Sequence, residues 1–417
     1  MAVQPITLTE KEHDDFVKTH DRGDLLQLSS WGDVKRQNGW TSERVAVARD
    51  GVTSGVALLL FKRVPKLPYT LCYAPRGFVV DYDDLSSLQA LVKEVIRVAT
   101  AHKAIVVKID PNIDRDEIPG LLTKMAAIGF KHKGYGGGFD YAQPRFTMET
   151  DLRPSEKEIF AKFHHKFRYN VRLAEKKGIV CKEVGRDGLK TFADLMKVTG
   201  ERDGFATRGL DYFENLYDCL QPNDARLFLT TLEPRIALEQ QQATLEKAKK
   251  ELAKIERGLE KETIDKKRNS LLNRKEQTEA QIQKAEQALP ELVELDRTYP
   301  NGIVLSGGLL TLAGRRSYYL YGASSNEFRE FMPNHLMQWT MMQAAKASGA
   351  ERYDFGGVSG STDPDDEYAG LYAFKSGWGS DMIEKVGEFD LVLNRPLYMA
   401  LDKGLPLLKG LRKRLRR

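Results

Sequence analysis

Over most of the chain, short apolar runs alternate with polar ones, but between 235 and 297 the apolar residues fall on a seven-residue period. Leu238, Leu245, Leu252 and Leu259 recur every seventh position, with Ala248 and Ile255 at the intervening d-type sites. A second seam runs Leu271, Lys275, Thr278, Ile282, Ala285, Leu289 and Leu292, in alternating steps of four and three. That spacing keeps one stripe of each helix facing its neighbour, so it predicts two helices wound as an antiparallel coiled coil. Each seam covers about 25 residues, which at 1.5 Å per residue makes an arm roughly 40 Å long. Residues 225–232 and 302–306 flank it and are rich in β-branched and aliphatic side chains, so both read as strands. The arm therefore leaves and re-enters a folded body at one place.

The body shows a faint internal duplication. Its first half carries strand patterns at 44–49 and 55–61, a helix from 85 to 102, and a strand at 104–110. Its second half repeats the order, with strands at 225–232, 303–312 and 317–322, a helix from 332 to 348, and a strand at 350–355. Each half sets a long helix before a strand that ends near an aspartate. The halves join near Gly134–Gly138 and Pro144. Those glycines suit a flexible crossover or a phosphate cradle, though they do not form a G-x-G-x-x-G pattern. Beyond the join, Ser155 and Glu158 form a capping-box pair. They start one expected helix that places Phe160, Phe163, Phe167 and Val171 on a single face and ends at Gly178. Lys162, His165, Lys166, Arg168, Arg172 and Lys176 fill the rest of it, as phosphate contacts or as an ordinary solvated face.

With 417 residues there is room for two domains and the arm. The formal charge of +5 is local: seven Lys or Arg and no acid follow Gly404's neighbour Lys403, counting that lysine, and the other residues sum to about −2. The outer arm, 247–275, holds eleven basic and five acidic residues, so it is net positive. Three widely spaced cysteines, Cys72, Cys181 and Cys219, predict a reducing compartment and no structural zinc. The first residues show no basic-plus-apolar leader, and no apolar run reaches the length of a membrane span. Any membrane contact is then expected to be peripheral. The segment 405–417, with leucines among clustered cations, fits an anionic surface or a basic tail without a specific partner.

Familiar catalytic sets are missing: the chain has no G-x-S-x-G, H-E-x-x-H or Walker loop. His164 and His165 are adjacent, and neighbours on a helix point apart, which argues against shared metal ligation. No Arg or Gln begins the R/Q-x-x-G-x-G/A loop that a CoA-dependent acyltransferase is expected to use on pyrophosphate. The densest polar, aromatic and glycine-rich stretch runs from Tyr353-Asp-Phe-Gly-Gly357 to Phe374-Lys-Ser-Gly-Trp-Gly379.

Together with Trp31-Gly-Asp-Val-Lys35, Tyr73-Ala-Pro-Arg-Gly77, residues 166–178, Arg202-Asp-Gly-Phe205, Tyr319-Leu-Tyr-Gly-Ala-Ser324 and Gly387-Glu-Phe-Asp-Leu-Val392, this stretch resembles the Fem/Mur peptidoglycan branching aminoacyltransferases, most of all the MurM/MurN type. The resemblance covers nearly the whole chain. It implies an α/β fold of two GCN5-like acyltransferase domains, at 1–150 (with 382–417 returning to it) and at 151–234 plus 298–381. The coiled-coil arm at 235–297 is inserted in the second. It implies transfer of Ala, Ser or Gly from aminoacyl-tRNA to the stem-peptide lysine of lipid II, without a cofactor. The place of action would be the cytoplasm, peripheral at the inner face of the membrane.

By position, Lys375 matches the family's lysine that meets the tetrahedral intermediate, and Phe374 packs beside the acceptor or in the core. Lys35 and Arg208 match holders of the acceptor's pyrophosphate, with Tyr212 one helical turn on. Trp31 fences the substrate or belongs to the core. Tyr319 and Tyr321 are expected on one face of a strand, one of them lining the acceptor channel. Asp110 orients or deprotonates the amine, or simply ends its strand. Rival readings are a non-catalytic module that holds tRNA or a partner coiled coil, a CoA-dependent N-acyltransferase, and a synthetase, which lacks an ATP signature.

Overall fold

The structure, a computed structural model, describes residues 3–140, 142–220 and 224–401. The basic segment 405–417 lies outside these. The chain forms two mixed sheets with helices against them. The first has eight strands among the described residues, built on the long hairpin Trp40–Arg49 and Val52–Arg63. Thr70–Ala74 pairs with that hairpin and runs parallel to Ala104–Ile109, and Phe389–Val392 returns late in the chain to flank the latter. The helix Leu85–Ala101 covers this sheet. Asp84 caps it by accepting from the Ser87 N–H at 3.2 Å, and Leu88, Leu91, Val92, Val95 and Ala99 are buried at helical spacing.

The second sheet has seven strands among the described residues, from Asp381–Glu384 at one edge to Ile179–Val184 at the other. Its middle is the antiparallel run Ala225–Leu232, Ile303–Ala313 and Arg316–Ser324. Arg352–Val358 joins it in parallel after the helix Pro333–Ala347. Phe146–Asp151 belongs to this second sheet, and so does Asp381–Glu384. The chain therefore crosses between sheets before 146 and returns after 384, not at 150 and 382. The crossing passes through the glycine-rich 134–138 segment, where Gly134 takes φ +87° and the Gly138 carbonyl accepts from the Arg145 N–H at 2.9 Å.

Helices Ser29–Arg36 and Leu210–Leu220 meet where the halves join, and the Asn215 side chain donates to the Val34 carbonyl at 3.3 Å. One apolar core spans the join, including Trp31, Val34 and Leu58 from one half and Phe192, Phe213 and Leu309 from the other.

The arm consists of helices Pro234–Lys261 and Asp265–Thr298. Leu238, Leu245, Ala248, Ile255 and Ala285 are buried between them, and every other residue of the second seam is half-buried. The charged flanks pair across: Lys249 with Glu286 at 2.9 Å, Arg274 with Glu251 at 2.5 Å and Lys275 with Glu256 at 2.9 Å.

The helix expected from Ser155 to Gly178 is two helices, Glu156–Lys162 and His165–Lys176. The capping box forms as expected. Phe163 then turns extended to drop its ring into the core, and Arg168 donates to the freed Ala161 and Phe163 carbonyls. His164 becomes the cap of the second helix and is not a helical neighbour of His165. That is why their rings lie 4.2 Å apart, closer than the helical argument allowed.

Candidate functional site

Lys375 lies on the short helix Ala369–Ser376 and is 7% exposed. Its ammonium donates to the Gly357 carbonyl at 2.7 Å. Burial lowers its pKa to about 8, against a weaker upward pull from Asp354. The helix is anchored by aromatic rings. Phe374 packs at about 6 Å on Phe167, His335 and the fully buried Trp378, which makes it half-buried framework for the lysine. His335 is held neutral, its pKa lowered to about 4 by burial and by Lys166.

The carbonyl that receives Lys375 belongs to a bulge. Strand Arg352–Val358 loses register with Phe146–Asp151 between Asp354 and Gly357. Gly356 sits at φ +78°, where a side chain would be strained, and its N–H donates to Asp354 Oδ1 at 2.6 Å. A Cβ on Gly357 would come within 2.5 Å of Pro144. Only glycines let the backbone pass here.

Beside the bulge is a cavity of about 250 Å³ between the halves. Asp24, Arg76 and Asn112 line it from the first half, and Tyr318, Asp354 and Gly357 from the second. Asp24 accepts from the Leu26 N–H at 3.0 Å, the Tyr318 hydroxyl at 2.9 Å and the Asn112 amide at 3.2 Å. Burial raises the Asp24 pKa. Burial and nearby Glu149 raise that of Asp354, with the Gly356 N–H, Lys385 and Arg76 opposing. Behind this wall, Glu149 is 3.0 Å from Lys385 and about 3.5 Å from Arg316 and Arg352. Burial opposes its ionisation, and the three cations outweigh it to hold Glu149 well below the usual carboxylate range. Sequence alone assigns no role to Asp24, Arg76, Tyr318, Glu149, Asp354 or Lys385, although Arg76 and Asp354 lie within the quoted motifs Tyr73–Gly77 and Tyr353–Gly357. Asp354 had a signal, a carboxylate just ahead of the glycine pair.

A second cluster lies along the same strand. Lys35 Nζ sits 4.5 Å above the ring of Trp31, which is 5% exposed, so Trp31 is a core residue that carries the lysine. Burial lowers the Lys35 pKa, as does the charge of Arg208 nearby. The Arg208 guanidinium lies 5.1 Å from the Tyr212 ring, and the Tyr212 hydroxyl is 3.0 Å from that of Tyr321. Lys35, Arg208, Tyr212 and Tyr321 are thus brought together. Tyr319 is not. Register slips at Leu320, with Leu309 opposite Tyr321 and Leu310 opposite Tyr319. The extra residue sends Tyr321 into the core shared by the halves and Tyr319 toward Phe355 in the second half, so the two tyrosines do not share a face. Tyr318, Tyr319 and Leu320 line the cavity, so Tyr319 belongs to the cavity and not to the Lys35 cluster, and Tyr321 is about 10 Å from Tyr318 along the strand, which links the two clusters.

Asp110 is 3% exposed and follows the strand Ala104–Ile109. Both oxygens are engaged, one by the Arg76 N–H at 2.7 Å and one by the Tyr73 hydroxyl at 2.9 Å. Burial lifts its pKa to about 6, although Arg76 and both hydrogen bonds pull it down. It fixes the backbone from which Arg76 reaches the cavity.

On the arm, the ion pairs lie along its flanks. Lys261, Lys266, Lys267 and Arg268 at the tip are exposed and have no ion pair among the described residues. Also among the described residues, no group of His, Cys, Asp and Glu is arranged to hold a metal ion, and no helix is long and apolar enough to cross a membrane.

Fold and site describe a two-sheet α/β protein whose halves close on a polar cavity beside a buried lysine. The FemAB family model matches residues 8–403, and the chain belongs to that family. This bears out the resemblance read from the motifs. The chain is 48% identical over 409 residues to the "Lipid II:glycine glycyltransferase" of Staphylococcus haemolyticus (strain JCSC1435), covering 97% of each. The protein of the same name from Staphylococcus aureus (strain MSSA476) matches to the same extent. A solved structure described as "Crystal structure of FemX" superposes with a TM-score of 0.90 at 48% identity, over 95% of this chain and 99% of that one.

Proposed function

We propose that the protein transfers glycine from glycyl-tRNA to the stem-peptide lysine of lipid II, building the peptidoglycan interpeptide bridge. The observation that carries this is Lys375, a buried ammonium held on the Gly357 carbonyl at the edge of the cavity, in a chain nearly half identical to named lipid II glycyltransferases. Glycine is chosen over alanine and serine on the names of those relatives.

The lysine amine of the acceptor attacks the ester carbonyl, forming a C–N bond. The tetrahedral intermediate collapses by breaking the C–O bond to the tRNA, whose terminal hydroxyl leaves with a proton. An activated ester needs no covalent enzyme intermediate. It needs a cation at the developing oxyanion, the role assigned to Lys375, and good positioning. Lys35 and Arg208 hold the acceptor's diphosphate as a point charge and a fork, with Tyr212 and Tyr321 supporting Arg208. Asp110 acts by positioning Arg76. The arm's basic tip contacts tRNA, and the segment 405–417 contacts the anionic membrane face where lipid II resides. Each sheet with its helices serves as one acyltransferase-like domain.

The test is purified protein with lipid II and, separately, glycyl-, alanyl- and seryl-tRNA, read by mass spectrometry of the muropeptide. A product one glycine heavier is expected. Alanine or serine alone would correct the amino acid, and no product with any charged tRNA would sink the reading.

A further inference from the structure

The cavity beside Lys375 holds two kinds of charge, and they are not equally satisfied. Of its cations, Lys385 bridges Asp114 at 2.9 Å and Glu149 at 3.0 Å, and Arg316 faces Glu149. Arg76 donates to the Pro144 carbonyl at 2.8 Å and lies near Asp110, Asp24 and, more weakly, Asp354. The carboxylates differ. Asp24 accepts only neutral donors: a backbone N–H, a tyrosine hydroxyl and an asparagine amide. Asp354 accepts the Gly356 N–H on Oδ1, and its Oδ2 has no hydrogen-bond donor among the described residues. Neither carboxylate has a cation within ion-pair distance among those residues. The cavity thus presents two partly desolvated acids with room between the halves for a small cation.

Its position narrows the class of cation. Gly356 and Gly357 form part of the wall, and the Gly357 carbonyl is the group that holds Lys375. A ligand on Asp354 therefore lies next to the Lys375 ammonium. An α-aminoacyl ester carries an ammonium one carbon away from a carbonyl that becomes an oxyanion on attack. A carboxylate and an ammonium side by side complement those two charges in order.

We propose that this cavity is the subsite for the α-ammonium of the donor's aminoacyl group, with Asp354 as its direct acceptor and Asp24, held by Tyr318 and Asn112, as the opposing wall. The assignment rests on the aminoacyl-transfer reading above and deepens it. The subsite recognises a free α-amine, and a donor whose nitrogen is acylated loses both the charge and the space.

The test compares glycyl-tRNA with N-acetylglycyl-tRNA as donors to lipid II, using the full chain. A charged hydrogen bond in a desolvated site predicts that the wild type prefers the free amine by about 10- to 100-fold in kcat/KM. Asp354→Asn should bring that preference to within a few-fold, mainly by losing the glycyl donor. Asp24→Asn, whose remaining oxygen still accepts from the Leu26 N–H, should reduce it less, and it carries the test if Asp354→Asn does not fold. Independently, glycinamide and N-acetylglycinamide are titrated into the wild type and both variants and followed by NMR. Glycinamide alone should bind the wild type, and Asp354→Asn should abolish it.

Equal use of both donors overturns the subsite while leaving aminoacyl transfer intact. A preference that survives in both variants overturns the assignment to these carboxylates. If neither donor works, the transfer reading fails and glycinamide binding decides the cavity separately. Binding of a small carboxylate such as acetate in place of glycinamide would mean that the cations, not the acids, define the site.

Discussion

Replacing Lys375 with methionine separates catalysis from folding, because the two effects have opposite signs. At neutral pH the wild type holds an ammonium in a site that lowers its pKa from 10.5 to about 8. At about 1.4 kcal/mol per unit, keeping it charged costs the fold about 3 kcal/mol relative to an unperturbed lysine. Methionine removes that cost and fills similar volume, but it leaves the Gly357 carbonyl without its donor, a loss of about 1–3 kcal/mol. The variant is therefore expected to match the wild type or exceed it by up to about 2 kcal/mol in urea unfolding at pH 7. Between pH 8 and 10.5 the unfolded chain still binds a proton here and the folded one does not, so wild-type stability rises and the gap closes. Turnover goes the other way. If Lys375 is the oxyanion donor proposed above, its loss predicts a fall in kcat of about 10²- to 10³-fold, with little change in tRNA or lipid II affinity. The assays are single-turnover transfer to lipid II and urea melts across pH 7–10.5. A variant that keeps more than about a tenth of the wild-type kcat would refute the oxyanion role. One destabilised by more than about 2 kcal/mol at pH 7 would refute the electrostatic account of the site.

Lys35→Met should raise KM for lipid II by about 10-fold or more while leaving kcat nearly unchanged, since the phosphate contact proposed for it lies outside the reacting atoms; a fall in kcat alone would count against the diphosphate role. Its net effect on stability should be small, because the lost cation–π contact is offset by relief of the burial and Arg208 repulsion that lower the Lys35 pKa, whereas Trp31→Ala should cost about 3–5 kcal/mol in thermal or urea unfolding, because that ring is core. Reversing Lys266, Lys267 and Arg268 to glutamate should weaken tRNA binding and flatten its salt dependence, with a slope smaller by about 2–3 in a filter-binding series. Unchanged tRNA dependence would make the arm a structural rod. Gly356→Ala should lower both stability, by about 1 kcal/mol or more, and turnover, because an alanine at φ +78° disturbs the bulge that presents Gly357 to Lys375; circular-dichroism melts and the transfer assay check it.

Local pattern determined a good deal by itself. The seven-residue period of Leu238, Leu245, Leu252 and Leu259 needs only its own helix to be read, and the arm follows it within a few residues. The capping box at Ser155 and the helix behind Asp84 are equally local. Lys375 lies in a stretch dense in glycines and aromatics, but its role, like that of Lys35, comes from the resemblance to a known family and not from the local pattern. What no window of sequence holds is the meeting of distant segments. Asp24 and Tyr318 are almost 300 residues apart and share one hydrogen bond, and Lys385 reaches back to Glu149. Their ionisation depends on burial between two halves, which composition does not encode. The β-bulges at Leu320 and at Asp354–Gly357 are similar: one extra residue, fixed by packing against a neighbouring strand, reverses which face a side chain occupies. Alternation therefore put Tyr319 and Tyr321 together, and tertiary register parted them. The strands, helices and arm were within reach of the sequence, but the cavity came only from the closure of one sheet against the other, because its walls are charges that become a site only when both halves exclude water from them.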